Sequence, residues 1–237
     1  MSLRALKQYI ELYHLNGIAD FFMESKEFRL ELRAEGQQVK TESREQKTAA
    51  VDSIRDLNIL AKEYAKCQKC VLHKSRVKLV YGEGRQDADI LIVGNPPNSD
   101  ENVYGRPFVG EIGKLFDNML NKLQLGRKDL YITNITKCKA HLDVKIDSPE
   151  MKKCMPYLSQ QIDIIKPKLV LIMGELAANI FFDKNESIDY YRKTQGQTFN
   201  NMLVFVTYGL AEMLNNKDLR WAAWEDLQQF STQITQR

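Results

Sequence analysis

Apolar runs that alternate with helical segments predict an α/β fold for this chain, a three-layer α/β/α sandwich around a mostly parallel central sheet. Two observations carry the prediction. Residues 89–94, 168–173 and 203–207 are short, near-continuous runs rich in Val, Ile and Leu, the pattern of strands buried on both faces. Between such runs lie segments with apolar residues at helical spacing. The clearest is 111–123, where Ile112, Leu115, Phe116, Met119, Leu120 and Leu123 form one stripe.

The chain has 237 residues with 43% hydrophobic content, enough for one sizeable domain plus an appendage. Residues 1–33 read as an N-terminal helical extension. Leu3, Leu6, Ile10 and Tyr13 recur at helical spacing, and Ile18, Phe21 and Phe22 follow a break at Asn16-Gly17. Residues 34–50 are rich in Glu, Gln, Lys, Thr and Ser, with Val39 the one apolar residue before an alanine pair. Such a stretch cannot bury enough surface to offset its ordering entropy and reads as a polar linker. Residues 51–237 form the main domain.

Within it, a helix at about 52–65 leads to Cys67. Residues 78–82 and 89–94 read as strands, 111–123 as a helix stopped by Gly126, and 130–133 as a strand. Ser148-Pro149 is an N-cap followed by proline at the first helical position. It opens a helix that carries Cys154 and runs to Pro167. A strand at 168–173, a helix at 174–182, a strand at 203–207 and a helix at 219–232 complete the order.

No apolar run is long enough to span a bilayer, and the first residues are amphipathic rather than a signal segment. A cytoplasmic protein without a membrane partner is expected, a setting in which cysteines are more often ligands or catalysts than disulfides. The net charge of +3 permits a polyanionic partner without requiring one.

The four cysteines are Cys67, Cys70, Cys138 and Cys154. Four thiolates suit a structural zinc or an iron–sulfur cluster, and the alternative is four unrelated buried thiols. The long stretch between Cys70 and Cys138 departs from a zinc ribbon, whose second pair repeats the C-x-x-C spacing. Iron–sulfur is the expectation and zinc the alternative.

In open α/β sheets, ligands bind beyond the carboxyl ends of the strands. Three segments of unusual composition fall there: 94–101 with 105–110, 133–138, and 207–212. Phe108, between Pro107 and Val109-Gly110, is placed as an exposed stacking platform or as an anchor for the following helix.

In register, these residues resemble the iron–sulfur (type-4) uracil-DNA glycosylases from about Tyr64 to Phe230. The resemblance rests on C-x-x-C with Leu72 and Arg76, and on Gly105-Arg106-Pro107-Phe108-Val109-Gly110. It continues through Tyr131-Ile132-Thr133-Asn134 with Lys137-Cys138, Lys166-Pro167-Lys168, Gly174 and Trp224-x-Asp226-Leu227. It implies a uracil-DNA glycosylase-like domain whose Cys67, Cys70, Cys138 and Cys154 hold a 4Fe-4S cluster. It further implies that uracil, flipped out of DNA, stacks on Phe108 while the Asn134 amide reads its edge, with Gly94 and Gly209 lining the base site.

The chain also departs from the family. The first segment carries Asn95 and Asn98 where the family has glutamate and glycine, while an acid is kept at Glu101. Gly209-Leu210-Ala211 stands where the family has His-Pro-Ser, and Asn215 replaces a loop arginine. The lost histidine would stabilise charge on the departing base, and losing one such donor typically costs about 10²–10³ in rate.

Glu101 and Asn95 are therefore the candidates to position water. The expected reaction is hydrolysis of the N-glycosidic bond of uracil, or a related deaminated base, in DNA. The alternative is a weak or inactive glycosylase-fold DNA-binding protein. Lys137, Lys139 and Lys217 are candidate DNA contacts, with Lys114, Lys152 and Lys153 as further basic residues near the mouth. His141 is a candidate relocated donor or a solvated loop residue, and residues 1–33 are a candidate surface for a protein partner.

Overall fold

The computed structural model describes residues 57–140 and 148–235. The expected helical extension, the polar linker, the start of the helix before Cys67, and His141 lie outside the described residues.

The described chain forms an α/β domain around a six-stranded sheet of order β1-β3-β2-β4-β6-β5. The strands are β1 (Glu83–Gly84), β2 (Ile90–Gly94), β3 (Tyr131–Asn134), β4 (Leu169–Met173), β5 (Gln197–Phe199) and β6 (Met202–Thr207). β3, β2, β4 and β6 pair in parallel, and short antiparallel strands close both edges. The continuous apolar runs explain this placement. Every residue of β2 from Ile90 to Val93, and every residue of β4, is buried, as central parallel strands require.

The helices are α1 (Leu57–Tyr64), α2 (Ser99–Tyr104), α3 (Gly110–Lys122), α4 (Pro149–Ile165), α5 (Glu175–Phe182), α6 (Ile188–Lys193), α7 (Leu210–Asn215) and α8 (Lys217–Thr235). On one face of the sheet, Phe116, Met119 and Leu120 of α3 join Leu227 and Phe230 of α8 against Ile90, Ile92, Ile132, Leu169 and Leu171. On the opposite face, Gln161 of α4 reaches Thr133 at 3.3 Å and the Tyr81 carbonyl at 2.6 Å. The sandwich therefore has helices on both sides, as its hydrophobic pattern predicts. No helix among the described residues is long and apolar enough to cross a membrane.

Some expected elements differ. Residues 78–82 are not a strand, and only Glu83–Gly84 pairs with β3. Lys78 donates its N–H to Asn102 of α2 and Val80 to Lys137, so a helix carbonyl and a loop carbonyl take the groups a ladder would use. Helices α2, α6 and α7 and strand β5 carry too few residues to show a hydrophobic period.

Arg127 joins β1, α3 and the turn at Phe108. Its Nη1 meets Glu83 Oε1 at 2.6 Å, its Nε meets Asp117 Oδ1 at 2.7 Å, and its Nη2 reaches the Phe108 carbonyl at 2.5 Å. Phe108 has φ 51, a left-handed conformation that a phenylalanine adopts only when its surroundings impose it. Arg127→Ala is expected to destabilise the domain by about 1.5–3 kcal/mol through the loss of charged hydrogen bonds. Chemical denaturation reads this directly, and an unchanged midpoint would refute the role assigned to Arg127.

Candidate functional site

The chain leaves β2 for β3 on one side and later returns to β4 on the other side of β2. The carboxyl ends of β2 and β4 therefore flank a topological switch point, where open α/β sheets bind ligands. The side chain of Asn95, which follows β2, fills that crevice. Its Oδ1 accepts the Ala177 N–H at 3.0 Å, capping the start of α5. Gly174 at φ 118 makes room for it, since a Cβ there would lie 2.3 Å from the Asn95 amide. The amide's Nδ2 can in turn donate to a bound molecule.

Asn134 ends β3 beside this crevice and is almost fully buried, at 1% exposure. Its Nδ2 donates to the Asn95 carbonyl at 2.8 Å and to Glu101 Oε1 at 3.2 Å. Its Oδ1 is buried without a hydrogen-bond partner. A buried orphan acceptor costs about 1–3 kcal/mol, so it marks a place where a donor from outside belongs.

Glu101 is 2% exposed and holds this arrangement together. Its Oε2 accepts the Asn98 N–H at 2.7 Å while Asn98 Oδ1 accepts the Glu101 N–H at 2.9 Å, a reciprocal capping box at the start of α2. Its Oε1 accepts the Phe108 N–H at 2.7 Å together with the Asn134 amide. Burial raises the pKa of this carboxyl, against the pull of those donors.

The exposed platform expected at Phe108 is not found. The side chain is buried at 3% exposure and meets Phe116 edge to face, with centroids 4.8 Å apart. Its carbonyl and N–H are both taken, by Arg127 and Glu101, and the left-handed turn directs the ring inward. The ring lies over Gly94, where an added Cβ would sit 2.4 Å from Phe108 Cε1.

Gly209 caps α7, its N–H donating to Glu212 at 3.3 Å. A Cβ at this position would meet Asn95 Nδ2 at 3.1 Å and Glu212 Oε1 at 3.2 Å. The space a longer residue would enter is thus bordered by an amide donor and a carboxylate. Burial raises the pKa of Glu212. Reading the sequence for motifs missed this acid, although Gly209-x-x-Glu212 carries the spacing of a helix start. The neighbouring Tyr208 is held by Arg192, whose guanidinium stacks 4.7 Å from its ring and bonds the buried Asp226 at 2.8 Å.

Three of the four cysteine sulfurs accept hydrogen bonds. The Tyr157 hydroxyl donates to Cys67 at 2.9 Å, Arg76 to Cys138 at 3.6 Å, and the Lys137 N–H to Cys154 at 3.3 Å. The thiols lie near enough to affect one another: Cys138 feels Cys70 and Cys67, and Cys154 feels Cys138 and Cys70. Burial pushes the Cys154 thiol up to about 12, so it is a thiolate only when a cation demands it. No cysteine is in a disulfide. Among the described residues, no three Cys, His, Asp or Glu side chains are close enough to share one metal ion. Donors directed at three of these sulfurs would suit thiolates.

The DNA contact expected at Lys137 is corrected. This residue is completely buried, and its Nζ donates to Thr133 Oγ1 at 2.6 Å and to the Asn134 carbonyl at 2.8 Å. The i to i+4 proximity of Thr133 and Lys137 turns the ammonium back under the loop. Burial brings its pKa down to about 7, opposed by the charge of Cys154. Lys139 is at the surface, donating to Ser99 at 2.9 Å, and Lys217 is exposed at the start of α8. Lys114 pairs with Glu111 at 2.6 Å on the outer face of α3.

Comparison with known proteins agrees with this geometry. The family described as the Uracil DNA glycosylase superfamily matches residues 81–228. A type-4 uracil-DNA glycosylase of Saccharolobus solfataricus is 35% identical over 190 residues, 77% of this chain and 88% of that protein. Type-4 uracil-DNA glycosylases of Pyrobaculum aerophilum and Thermotoga maritima are 32% and 33% identical, covering 93% and 91% of their own lengths and 74% and 73% of this chain.

Gly94→Ala is expected to displace the Phe108 ring and cost about 1–3 kcal/mol by overpacking. Thermal unfolding and the Phe108 ring resonances test this together. Unchanged stability with unshifted resonances would show that the close approach is not needed.

Proposed function

This chain belongs to the uracil DNA glycosylase superfamily, and from that premise we propose that it hydrolyses the N-glycosidic bond of uracil in DNA as a repair enzyme. The observation that carries the reading is the orphan Oδ1 of Asn134. Both hydrogens of its amide are committed to Asn95 and Glu101, so the oxygen presents itself only as an acceptor. Uracil carries a proton on N3 and satisfies that oxygen. Cytosine has a lone pair there and would leave two acceptors facing each other, a mismatch that buried sites reject strongly. Related deaminated bases that keep an imide N–H pass the same test.

A base that reaches Asn134 lies beside the Phe108 ring and over Gly94. Both side chains are buried in the free chain, so the base enters only when the loop at 95–98 or 208–209 moves aside. Duplex DNA must also release the nucleotide, since the bond is unreachable within the stack. Glu101 then acts as a positioning residue that sets the amide and the backbone of Phe108. Asn95 Nδ2 is the donor available to orient water near the sugar. A neutral water suffices where the sugar carries developing positive charge. Lys139 and Lys217 remain the candidate contacts to DNA phosphates.

Cys67, Cys70, Cys138 and Cys154 would hold a 4Fe-4S cluster, which supplies a rigid staple among the 67–76 segment, the 135–139 loop and α4. With DNA as substrate and reduced cysteines required, the cytoplasm is the compartment that fits.

Single-turnover excision on uracil-containing oligonucleotides tests the function. The wild-type chain is expected to release uracil, and Asn134→Ala to lose about 10²–10³ of the rate. Gly209→His restores a donor in the space between Asn95 and Glu212 and is expected to raise the rate. No release by wild type and no gain in Gly209→His would sink the reading. For the cluster, anaerobically purified protein is expected to show visible absorbance that Cys138→Ala loses. Colourless protein containing zinc would overturn that assignment.

A further inference from the structure

The face where α3 meets the start of α8 carries a groove of about 620 Å³ that the base site does not use. Its lining comes from these two helices. Lys217, Arg220, Trp221 and Trp224 recur at helical spacing on one side of α8, opposite Leu115 and Lys122 of α3. Trp224 is half-buried and packs with Leu115 against the core, and the Lys122 ammonium lies 5.4 Å from its ring centroid. Trp221 is 72% exposed, more than any other large apolar side chain among the described residues. A lone exposed apolar residue is ordinary, but an indole beside a second indole and three cations is a patch of distinct chemistry. Arg220 is fixed in the wall by its bonds to the Met213 and Leu214 carbonyls, at 2.6 and 3.1 Å.

The charge of the groove decides what fits it. Among the described residues no carboxylate lines it, and none forms an ion pair with Lys122, Lys217 or Arg220. Two acids of α3 are taken elsewhere, Glu111 by Lys114 and Asp117 by Arg127. An apolar partner helix would desolvate three cations without compensation. A nucleic-acid strand meets both halves of the surface, because bases stack on indoles while phosphates take the cations. Lys217 to Trp224 spans about 10 Å of helix, room for about three stacked nucleotides. Helix α7 begins at Gly209 beside the crevice and ends against Arg220, so one short helix separates the groove from the base site. We propose that this groove is a subsite for single-stranded DNA. Trp221 stacks a base there, and Lys122, Lys217 and Arg220 meet phosphates of the strand that flanks the uracil. The proposal rests on the reading of uracil-containing DNA as the substrate. A duplex presents no free base face to Trp221, so the subsite favours the unpaired strand.

Trp221 and Trp224 are the only tryptophans in the chain, so tryptophan fluorescence reports this groove alone. The full chain is titrated with a short uracil-free oligothymidylate and with its duplex with oligoadenylate. The single strand is expected to quench the emission at low salt, and the duplex to quench it weakly. Trp221→Ala, read through Trp224, is expected to bind the single strand about 10-fold more weakly, and Trp221→Phe to recover most of that loss. In the double variant Lys122→Gln with Lys217→Gln, the slope of log affinity against log salt is expected to fall by about 1.4. Wild-type affinity in Trp221→Ala would overturn the proposal, as would quenching by the duplex equal to that by the single strand. Where Trp221→Ala does not fold, the lysine pair decides, and an unchanged salt slope overturns the subsite. Dimerisation that Trp221→Ala abolishes, without quenching by the oligonucleotide, would assign the groove to a second copy of the chain and overturn it too. Wild-type uracil release is measured alongside. Release without quenching refutes the subsite alone, whereas quenching without release supports the subsite and refutes the glycosylase reading.

Discussion

The carboxylate of Glu101 accepts hydrogen bonds from Asn98, Phe108 and Asn134 while almost wholly removed from water, and the mouth of the sheet is arranged around it. A buried charge of this kind persists only when its lone pairs are met by donors. Meeting them closes α2 with a capping box, bends the chain at Phe108 into a left-handed turn, and turns the Asn134 amide so that its nitrogen faces inward. The last consequence matters most. An amide is chemically ambiguous because its two ends are nearly equal in shape. A fixed carboxylate on one side and the Asn95 carbonyl on the other remove that ambiguity, and an acceptor is left facing the crevice. In the proposed function, selectivity between uracil and cytosine would follow from which atoms are already occupied.

The second anchor lies on the other side of the same loop. The Lys137 N–H donates to Cys154, and Arg76 and Tyr157 direct donors at Cys138 and Cys67. The short segment from Thr133 to Cys138 is held at its start by the sheet, at Lys137 by side-chain bonds to Thr133 and Asn134, and at its end by the Arg76 bond to Cys138. This economy accounts for the density of chemistry in that stretch. Gly209 lies in a different loop, and the Asn134 amide and the cysteines are held without it.

Much of this was legible in the residues, and for identifiable reasons. Strands β2, β4 and β6 are short apolar runs that admit few other placements, and α3 is long enough to show its stripe. Helices α2 and α7 are too short for any period to appear. Their signals are instead the capping spacings Asn98-x-x-Glu101 and Gly209-x-x-Glu212, which are local and easily passed over. The strand expected at 78–82 fails because its N–H groups find partners in α2 and in the loop at Lys137, a competition that propensity does not see. Phe108 and Lys137 fail in the same sense. A phenylalanine among glycines and prolines looks exposed, and a lysine in a polar segment looks like a surface cation. Both are buried because distant groups, Arg127 and Glu101 for the first and the Thr133 and Asn134 oxygens for the second, draw them in.

The amino-acid sequence by itself determined the α/β class, the order of the principal strands and the family, because burial on both faces of a sheet imposes a pattern that survives in one dimension. It also displayed the four cysteines and the glycine at position 209, which are matters of identity rather than of position. Only the tertiary structure decided what each polar group is free to do. Whether Glu101 holds water or backbone, whether Asn134 offers its oxygen or its nitrogen, and whether Lys137 faces solvent or the cysteines all depend on which partner reaches them first. Hydrogen bonds and desolvation act over a few ångströms in space, between residues that the chain holds far apart.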